Sequence, residues 1–271
     1  MQKLFINPLK QLIPANVRSA LKKTSLRIAH SGTEHKCSLC DSGIKSFLPF
    51  GFSFPVLTEK QVVGGGYRQD VLCPVCGSLD RERLLHLYLL HKTDLFDRPY
   101  RLLHIAPEPR LTEILKSKPN LDYLTADFYV DTVMVKMDIT DIQYPDNSFD
   151  AIICNHVLEH IIDDGKAMSE LYRTLKPEGW AILQVPISHI LESTYEDSSI
   201  VTEQEREIAF GQDDHVRIYA DDYVDRLRQV GFKVNVFKWV DEPEVFGGEN
   251  NLFGLNKEEA IYFVSKIAAA A

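Results

Sequence analysis

Short apolar runs alternate with amphipathic segments from about residue 100 to the end of the chain. The apolar runs predict strands at 102–106, 123–128, 133–139, 149–155, 180–185, 233–239 and 260–264. Helices are predicted between them at 111–118, 163–176 and about 220–230. Strands that alternate with helices are typical of parallel βαβ units. The pattern therefore predicts an α/β fold with a doubly wound, seven-stranded sheet.

Two further segments precede this region. Residues 1–36 form a basic arm with seven Lys or Arg side chains and a single acid, and its apolar residues recur near a helical period. The arm is either a helix packed on its own protein or a contact surface for RNA, an anionic membrane or an acidic glycan. Residues 37–80 are rich in cysteine, glycine and aromatic residues, and 81–267 contain the alternating pattern. The final run, 268–271, is predicted to be a cloning scar.

Composition and charge narrow the class of protein. The 271 residues are 45% hydrophobic and 25% charged, which excludes a disordered, collagen-like or disulfide-scaffold protein. The net charge of −9 disfavours general nucleic-acid binding, although the basic arm is positively charged. No apolar run approaches the roughly 20 residues that span a bilayer, and the N-terminus lacks a secretory pattern. We expect a soluble, cytoplasmic protein, and the sequence does not predict its oligomeric state.

Four of the five cysteines form two CxxC pairs. Each pair suits a tight turn that points two sulfur atoms at one ion, and two such turns complete a closed tetrahedral site. The spacing therefore predicts a zinc-ribbon-like module with structural zinc, and an iron–sulfur centre is the less favoured alternative. The remaining cysteine, Cys154, lies in an apolar strand and is expected to be a small core residue. The predicted metal ligands are Cys37, Cys40, Cys73 and Cys76.

Polar side chains follow the first four predicted strands of the central region. A doubly wound sheet binds its ligand beyond the carboxyl ends of its strands, so these residues should meet. Asp127 lies 22 positions after Ile105, near the offset at which an acid accepts ribose hydroxyls. Asp138 is placed to accept an adenine amino proton, with Ile139 against the ring. The candidate cofactor-binding residues are His104, Ala106, Pro107, Glu108, Asp127, Phe128, Asp138, Ile139, Asn155 and His156.

Two stretches resemble a known family. MDITDIQYPDNSFDAIICNHVLEHI (137–161) and MSELYRTLKPEGWAILQVP (168–186) resemble class I S-adenosylmethionine (SAM)-dependent methyltransferases, in the branch typified by small-molecule methylation. CPVCGSLDRERLL, LLHIAPEPRL and FGQDDHVRIYADDYVDRLRQVGF look like a bacterial group of such enzymes with a CxxC module in front. The resemblance implies a Rossmann-like fold, SAM as the cofactor and binding of SAM by the residues named above.

The first predicted strand departs from the family pattern. Its turn usually reads acid-x-Gly-x-Gly, whereas residues 104–110 contain no glycine. Ala106 and Pro107 leave the backbone nearly as bare, and Glu108 is placed to meet the methionine ammonium group. We therefore expect a variant but functional turn. Dinucleotide oxidoreduction depends more heavily on the missing glycines and is disfavoured.

Two histidines are the candidate catalytic residues. His160 follows Glu159 and resembles the Glu-His pair common in this branch, although a capping or packing role is the alternative. His215 lies next to an aspartate that is expected to orient it, and Arg217 is placed to bind a carboxylate or phosphate, unless this stretch is a solvated loop. A divalent ion held by His156, Glu159 and His160 is a further option.

The expected activity is methyl transfer to an O or N nucleophile of a small molecule or glycan sugar. The stretch 191–217 contains eight acids and two arginines, which disfavours a nucleic-acid substrate. Two alternatives remain open. One is methylation of rRNA or protein, with the cysteine module and the basic arm used for recognition. The other is a non-catalytic binding module whose SAM site has decayed.

Overall fold

The computed structural model describes residues 24–267. The first 23 residues of the basic arm, and the predicted cloning scar at 268–271, lie outside the described residues. Within the described part of the chain, no helix is both long enough and apolar enough to cross a membrane.

The N-terminal part of the described chain consists of short elements followed by one long helix. The strands are β1 (Ser31–Lys36), β2 (Gly43–Ile44), β3 (Leu48–Phe50), β4 (Val62–Val63) and β5 (Arg68–Leu72). The helices are α1 (Pro55–Glu59) and α2 (Asp80–Lys92). β1 pairs with β2 and β3 with β5, both antiparallel, so the two CxxC turns lie next to small hairpin-like pairs.

The remaining elements alternate along the chain. The strands are β6 (Tyr100–Ile105), β7 (Leu121–Asp127), β8 (Val135–Lys136), β9 (Phe149–Cys154), β10 (Leu175–Ile182), β11 (Ile187–Ser188), β12 (Tyr195–Glu196), β13 (Arg217–Ile218), β14 (Lys233–Lys238) and β15 (Ala260–Ser265). The α-helices are α3 (Pro109–Lys116), α4 (Asp164–Thr174), α5 (Glu203–Phe210) and α6 (Tyr223–Val230), and 3₁₀ turns lie at Leu158–His160 and Trp239–Asp241.

Seven of these strands form one sheet in the order β14-β15-β10-β9-β6-β7-β8. The strands from β10 to β8 are parallel, whereas β15 is antiparallel to both of its neighbours. The predicted α/β class with a doubly wound, seven-stranded sheet is thus confirmed. The third predicted strand, 133–139, is much shorter than expected. Only β8 pairs with β7, and the chain then turns so that Met137 and Ile139 enter the core.

Each face of the sheet is covered by a different apolar core. On one face, α4 and α6 contribute Met168, Leu171 and Leu227 to a core that also contains Cys154. This placement agrees with the expectation that Cys154 is a small core residue, because its side chain is completely buried in β9. On the other face, α2 and α3 pack their leucines against the sheet.

The cysteine-rich segment shares the second core rather than having one of its own. Cys37 and Phe47 belong to the same apolar cluster as Trp180 and Ile261 of the sheet. Arg83 reinforces this connection, since its buried guanidinium donates to the carbonyl oxygens of residues 71, 78, 253 and 254. The division into a module at 37–80 and a domain at 81–267 stays a prediction. The shared core means that the two parts pack against each other.

The stretch 188–218 is more ordered than its polar composition suggests. It contains β12, β13 and α5, and α5 begins at a capping box between Thr202 and Glu205. Phe210 and Ile218 pack against Val56 and Leu57 of the cysteine-rich segment in a small third core. This stretch and the cysteine-rich segment therefore lie against each other over the strand ends.

Candidate functional site

The order of the strands reverses beside β6. From β6 the chain proceeds outward through β7 and β8, and then returns to place β9 on the other side of β6. A doubly wound sheet opens a crevice at this point, beyond the carboxyl ends of its strands. The loops that follow β6, β7 and β9 meet here, and they contain most of the predicted cofactor-binding residues.

The loop after β6 takes the conformation that glycine usually provides. Ala106 has a φ of +47°, in the left-handed region that glycine adopts at the least cost. Glu108 accepts hydrogen bonds from His104 Nε2 at 2.7 Å and from Asn155 Nδ2 at 3.4 Å. Burial opposes ionisation of Glu108, but the bond and the charge of His104 outweigh it, so the pKa of Glu108 lies below its usual value. The loop thus presents a carboxylate that is held in place by a hydrogen bond with the fully buried His104.

Asp127 ends β7, and only one of its two carboxylate oxygens accepts hydrogen bonds from the described residues. Its Oδ1 atom accepts the backbone N–H groups of Tyr129 and Val130, both at 2.7 Å. These bonds hold the turn and orient the second oxygen of the carboxylate. The ring of Phe128 is 58% exposed and lies edge-on to Tyr129 beside this acid. The structure therefore places Asp127 and Phe128 together at the end of β7.

Asp138 lies in the turn after β8. Its Oδ1 accepts bonds from the backbone N–H and the hydroxyl of Thr140, both at 2.8 Å. The carboxylate is exposed, whereas Ile139 is 4% exposed and packs into the core beneath the turn. Ile139 thus presents little of its side chain to a ring above it.

A pocket of about 320 Å³ begins at His156, in the loop that follows β9. His156, Glu159, His160 and His215 line it on the side of the sheet. The other wall includes Phe50, Phe52, Arg68 and the glycines at 64–66 of the cysteine-rich segment, together with Arg81 of α2. A wider groove of about 790 Å³ between α4 and α6 includes none of the predicted site residues.

His156 and Glu159 lie at the boundary of the crevice and the pocket. His156 has a φ of +53°, which turns its side chain out of the line of β9. Its Nδ1 lies 3.4 Å from Glu159 Oε1, without hydrogen-bond geometry. Burial alone would raise the pKa of Glu159, but His156 above all, with His160 and His215, lowers it to about 2. Burial lowers the pKa of His156. This part of the pocket therefore contains an ionised carboxylate in contact with imidazole.

The structure brings together the two candidate catalytic histidines. The rings of His160 and His215 are perpendicular, with centroids 4.6 Å apart. The expectation that an aspartate orients His215 is wrong, because Asp214 lies 3.1 Å from Nδ1 of His160 instead. Nor does His215 lie in a solvated loop: it is 3% exposed, and burial lowers its pKa to about 4.

Arg217 does not face a ligand, so the expectation that it binds a carboxylate or phosphate of the substrate is wrong. Its guanidinium is buried and donates to the carbonyl oxygens of Leu158, Ile161 and Ile162 and to the carboxylate of Glu196. It therefore fixes the 3₁₀ turn that contains Glu159 and His160. Four of the five N–H donors of its guanidinium are thus engaged within the described part of the chain.

The two CxxC turns converge as the spacing predicts. The Sγ atoms of Cys37 and Cys76 are 3.7 Å apart, and those of Cys40 and Cys73 are 3.8 Å apart. All four sulfurs lie within 4.8 Å of one another. With Zn–S bonds of about 2.3 Å, a tetrahedral ion places its sulfurs about 3.8 Å apart. The separations suit a tetrahedral ion and exceed any disulfide bond.

The two turns also share one pattern of backbone hydrogen bonds. Cys37 N donates to Ser42 O and Asp41 N donates to Cys37 O, and the turn after Cys73 repeats both bonds. The repeated pattern aims each pair of thiols inward. The structure thus holds four sulfurs ready for an ion.

The second wall of the pocket was not predicted from the sequence. Only the metal ligands were predicted in this segment, and its glycines had no predicted role. A Cβ atom on Gly64 would lie 3.2 Å from Cε1 of His156, and the φ of this residue is +83°. The signal was the triplet of glycines at 64–66, which permits close approach of a backbone to another group.

Comparisons with known proteins agree with this architecture. Residues 92–183 match the family model described as a methyltransferase domain. No curated protein matches the chain significantly. The solved [4+2]-cyclase SpnF is similar over 81% of this chain and 100% of its own, with 15% identity and a TM-score of 0.50. The shared fold is Rossmann-like.

Two solved methyltransferases are similar over smaller shares of the chain. The 1,6-didemethyltoxoflavin-N1-methyltransferase of Burkholderia thailandensis, solved with S-adenosylhomocysteine, covers 69% of this chain and 77% of its own at 14% identity, with a TM-score of 0.45. A SAM-dependent methyltransferase of Mesorhizobium loti covers 62% and 91% at 11% identity, with a TM-score of 0.41.

Proposed function

We propose that the chain is a SAM-dependent methyltransferase that methylates an O or N nucleophile of a small molecule or glycan sugar. The match of residues 92–183 to a methyltransferase domain supports the reaction class. The observation that carries the assignment is that the loop after β9 holds Asn155 against Glu108 of the crevice and His156 against the pocket, because the reaction needs adjacent sites for a methyl donor and an acceptor.

The residues of the crevice fit SAM. The left-handed backbone at Ala106 admits a ligand chain, and the ionised Glu108 attracts an ammonium group. The second oxygen of Asp127 would accept hydrogen bonds from ribose hydroxyls, and Asp138 would accept a hydrogen bond from the adenine amino group. Bound SAM would supply a methyl group that is already activated as part of a sulfonium. Asn155 positions Glu108 from the end of β9.

The acceptor would bind in the neighbouring pocket. A volume of about 320 Å³ lies at the lower end for small-molecule sites, which favours a compact acceptor over a nucleic acid or a protein segment. His160 and His215 line this pocket and are the candidates to take the proton of a hydroxyl or amine. The two aromatic rings of Phe50 and Phe52 form part of the opposite wall.

We propose a structural role for a zinc ion between Cys37, Cys40, Cys73 and Cys76. Four thiolate ligands leave no open position on the ion, so such a centre stabilises its segment rather than acting on a substrate. Ordering this segment matters for the acceptor, since the segment provides one wall of the pocket.

Calorimetric titration with SAM and S-adenosylhomocysteine tests the assignment. Asp127→Asn keeps an oxygen for the turn at Tyr129 and Val130 while removing the charge that faces ribose. We expect it and Asp138→Asn to weaken SAM binding by at least about tenfold, since each removes a charged acceptor worth about 1.5–3 kcal/mol. Asp141→Asn is the matched control, because Asp141 is an exposed acid three residues from Asp138.

A folded protein that binds neither ligand would contradict the proposed activity. In that case the glycine-free turn after β6 would be a decayed site, and the chain a binding module. If SAM binds but acceptors are found only among RNAs or proteins, the small-molecule part of the proposal would be wrong.

A further inference from the structure

We infer that Glu159, His160 and His215 form a binding site for a divalent transition-metal ion, separate from the four-cysteine centre. The inference concerns the acceptor pocket and rests on the proposed function for the role of the ion, though not for its binding. The three side chains each offer one ligand atom, and these atoms lie within 4.8 Å of one another.

Glu159 is the side chain that first indicates a missing partner. It is 1% exposed, and neither of its carboxylate oxygens has a hydrogen-bond partner among the described residues. A buried carboxylate without a hydrogen bond is costly, and native structures avoid it unless a charge or an ion compensates. Oε1 lies 3.4 Å from Nδ1 of His156 without a hydrogen bond, and Oε2 has no such contact, so Oε2 is the oxygen most readily available to coordinate a cation.

The two histidines complete a suitable donor set. The ring of His215 is buried, and no described residue makes a hydrogen bond to either of its nitrogens. Nδ1 of His160 contacts Asp214 at 3.1 Å, which leaves Nε2 for an ion. Metal-ligating histidines commonly use their second nitrogen in this way, since the carboxylate fixes the ring orientation.

The spacing requires only a small adjustment to bind an ion. With metal–ligand bonds of about 2.1 Å, two ligands on one ion lie at most about 4.2 Å apart. The separation of up to 4.8 Å therefore closes with shifts of less than about 1 Å. Two imidazoles and one carboxylate favour Zn²⁺, Fe²⁺, Co²⁺ or Mn²⁺ over Mg²⁺ or Ca²⁺.

The position of the site suggests what the ion would bind next. Three protein ligands leave coordination positions open, and all three residues line the pocket in which the acceptor would lie. An acceptor with an oxygen donor, such as a hydroxyl next to a second hydroxyl or a carboxylate, would fit these positions. In that role His160 and His215 act as ligands rather than as proton acceptors.

Equilibrium dialysis of the full chain against Co²⁺, followed by metal analysis, tests the inference. We expect the wild-type chain to bind one equivalent of Co²⁺ more than Glu159→Gln or His215→Gln. Asp213→Asn is the matched control, because it removes an exposed carboxylate from the same loop and should retain the wild-type content. The absorption of a cobalt–thiolate centre reports separately on the four cysteines and should not differ among these variants.

Equal cobalt contents in wild type and Glu159→Gln would overturn the inference, provided that circular dichroism shows both to be folded. Titration of SAM into the same samples separates this result from the proposed function. If the chain binds the extra Co²⁺ but not SAM, the metal site is supported and the proposed methyl transfer is contradicted. If it binds SAM but not the extra Co²⁺, the metal site is contradicted and the proposed methyl transfer is supported.

Discussion

Glu259 is a carboxylate that the fold buries beside the pocket. It is 4% exposed, and its Oε2 atom has no hydrogen-bond partner among the described residues. Burial, with a smaller contribution from Asp80, raises the pKa of Glu259 to about 7. Gly64 approaches it closely, since a Cβ there would lie 3.5 Å from Oε2. The folded chain therefore prefers the protonated form of this side chain.

This preference predicts a pH-dependent gain in stability from Glu259→Gln. The folded-state pKa is above that of the unfolded chain, so the folded state binds the extra proton between about pH 4.5 and 7 and loses stability as the pH rises through this window. The neutral amide avoids that loss. The increase in unfolding free energy of the variant over the wild type should therefore be about 2 kcal/mol larger at about pH 8 than at about pH 5.

Urea denaturation at the two pH values measures this difference. Glu258→Gln removes the same charge from the neighbouring exposed position and serves as the control. A gain for Glu259→Gln that is equal at both pH values would show that ionisation of this group is not what costs stability.

At the scale of an element, β13 fixes the turn that positions the pocket residues. Arg217 joins this strand to the carbonyl oxygens of Leu158, Ile161 and Ile162, with Nη2 at 2.9 Å from the last of these. Its Nε donates to Glu196 of β12 at 2.8 Å. One side chain therefore connects two strands of the 188–218 stretch to the 3₁₀ turn after β9.

Replacing the side chain of Arg217 should strongly lower the stability of the fold. Arg217→Met removes four hydrogen bonds, three to carbonyl oxygens and one to Glu196, and we expect it to lower the unfolding free energy by about 3 kcal/mol or more. Arg217→Lys keeps the charge but loses the planar fork, so it should recover only part of the loss. Chemical denaturation monitored by circular dichroism gives both values.

Arg228→Met is the matched control for this series. Arg228 is mostly exposed and pairs only with Asp225 in its own helix, so its loss should change stability by less than about 0.5 kcal/mol. If Arg217→Met were equally mild, the hydrogen bonds of Arg217 would not be what fixes the turn.

The elements differ in how far the sequence predicted them. The strands that form the middle of the sheet, such as β6 and β9, are continuous apolar runs because both of their faces are buried, and they were predicted within two residues at each end. β8 lies at the edge and pairs through only two residues, so its apolar pattern overestimated its length. The helix α5 was missed because its face toward the core is small.

The site was predictable only where its residues follow a strand. The acids at the end of β7 and after β8 were predicted to lie at this edge because position in a doubly wound sheet implies where they lie, and their role in binding stays a prediction. The wall at Phe50 and 64–66, and the pairing of Asp214 with His160, arise from contacts between distant parts of the chain. Local pattern contains no information about such contacts, so neighbours in sequence were mistaken for neighbours in space.

At the scale of the whole molecule, the cysteine-rich segment and the sheet share a core. Phe47 packs in one cluster with Trp180 of β10, and the guanidinium of Arg83 lies 3.8 Å from the Phe47 ring. Arg83 also donates to the carbonyl oxygens of Phe253 and Gly254, near the final strand. A segment held in this way should not unfold separately from the sheet.

The five cysteines allow this expectation to be measured in one experiment. Cys37 and Cys73 are buried in the N-terminal segment, and Cys154 is buried in the sheet. Brief thiol labelling across a urea series reports the unfolding of both regions, because each thiol reacts only when its surroundings open. We expect the labelling midpoints of all three thiols to coincide, as for a single cooperative unit.

Arg83→Met should separate the two transitions. Without the guanidinium, the four hydrogen bonds that join residues 71 and 78 to residues 253 and 254 are lost. The cysteines of the segment should then label at a lower urea concentration than Cys154. Separate midpoints already in the wild type would instead support two domains with a boundary near residue 80, in which case the pocket would lie at an interface between independently stable parts.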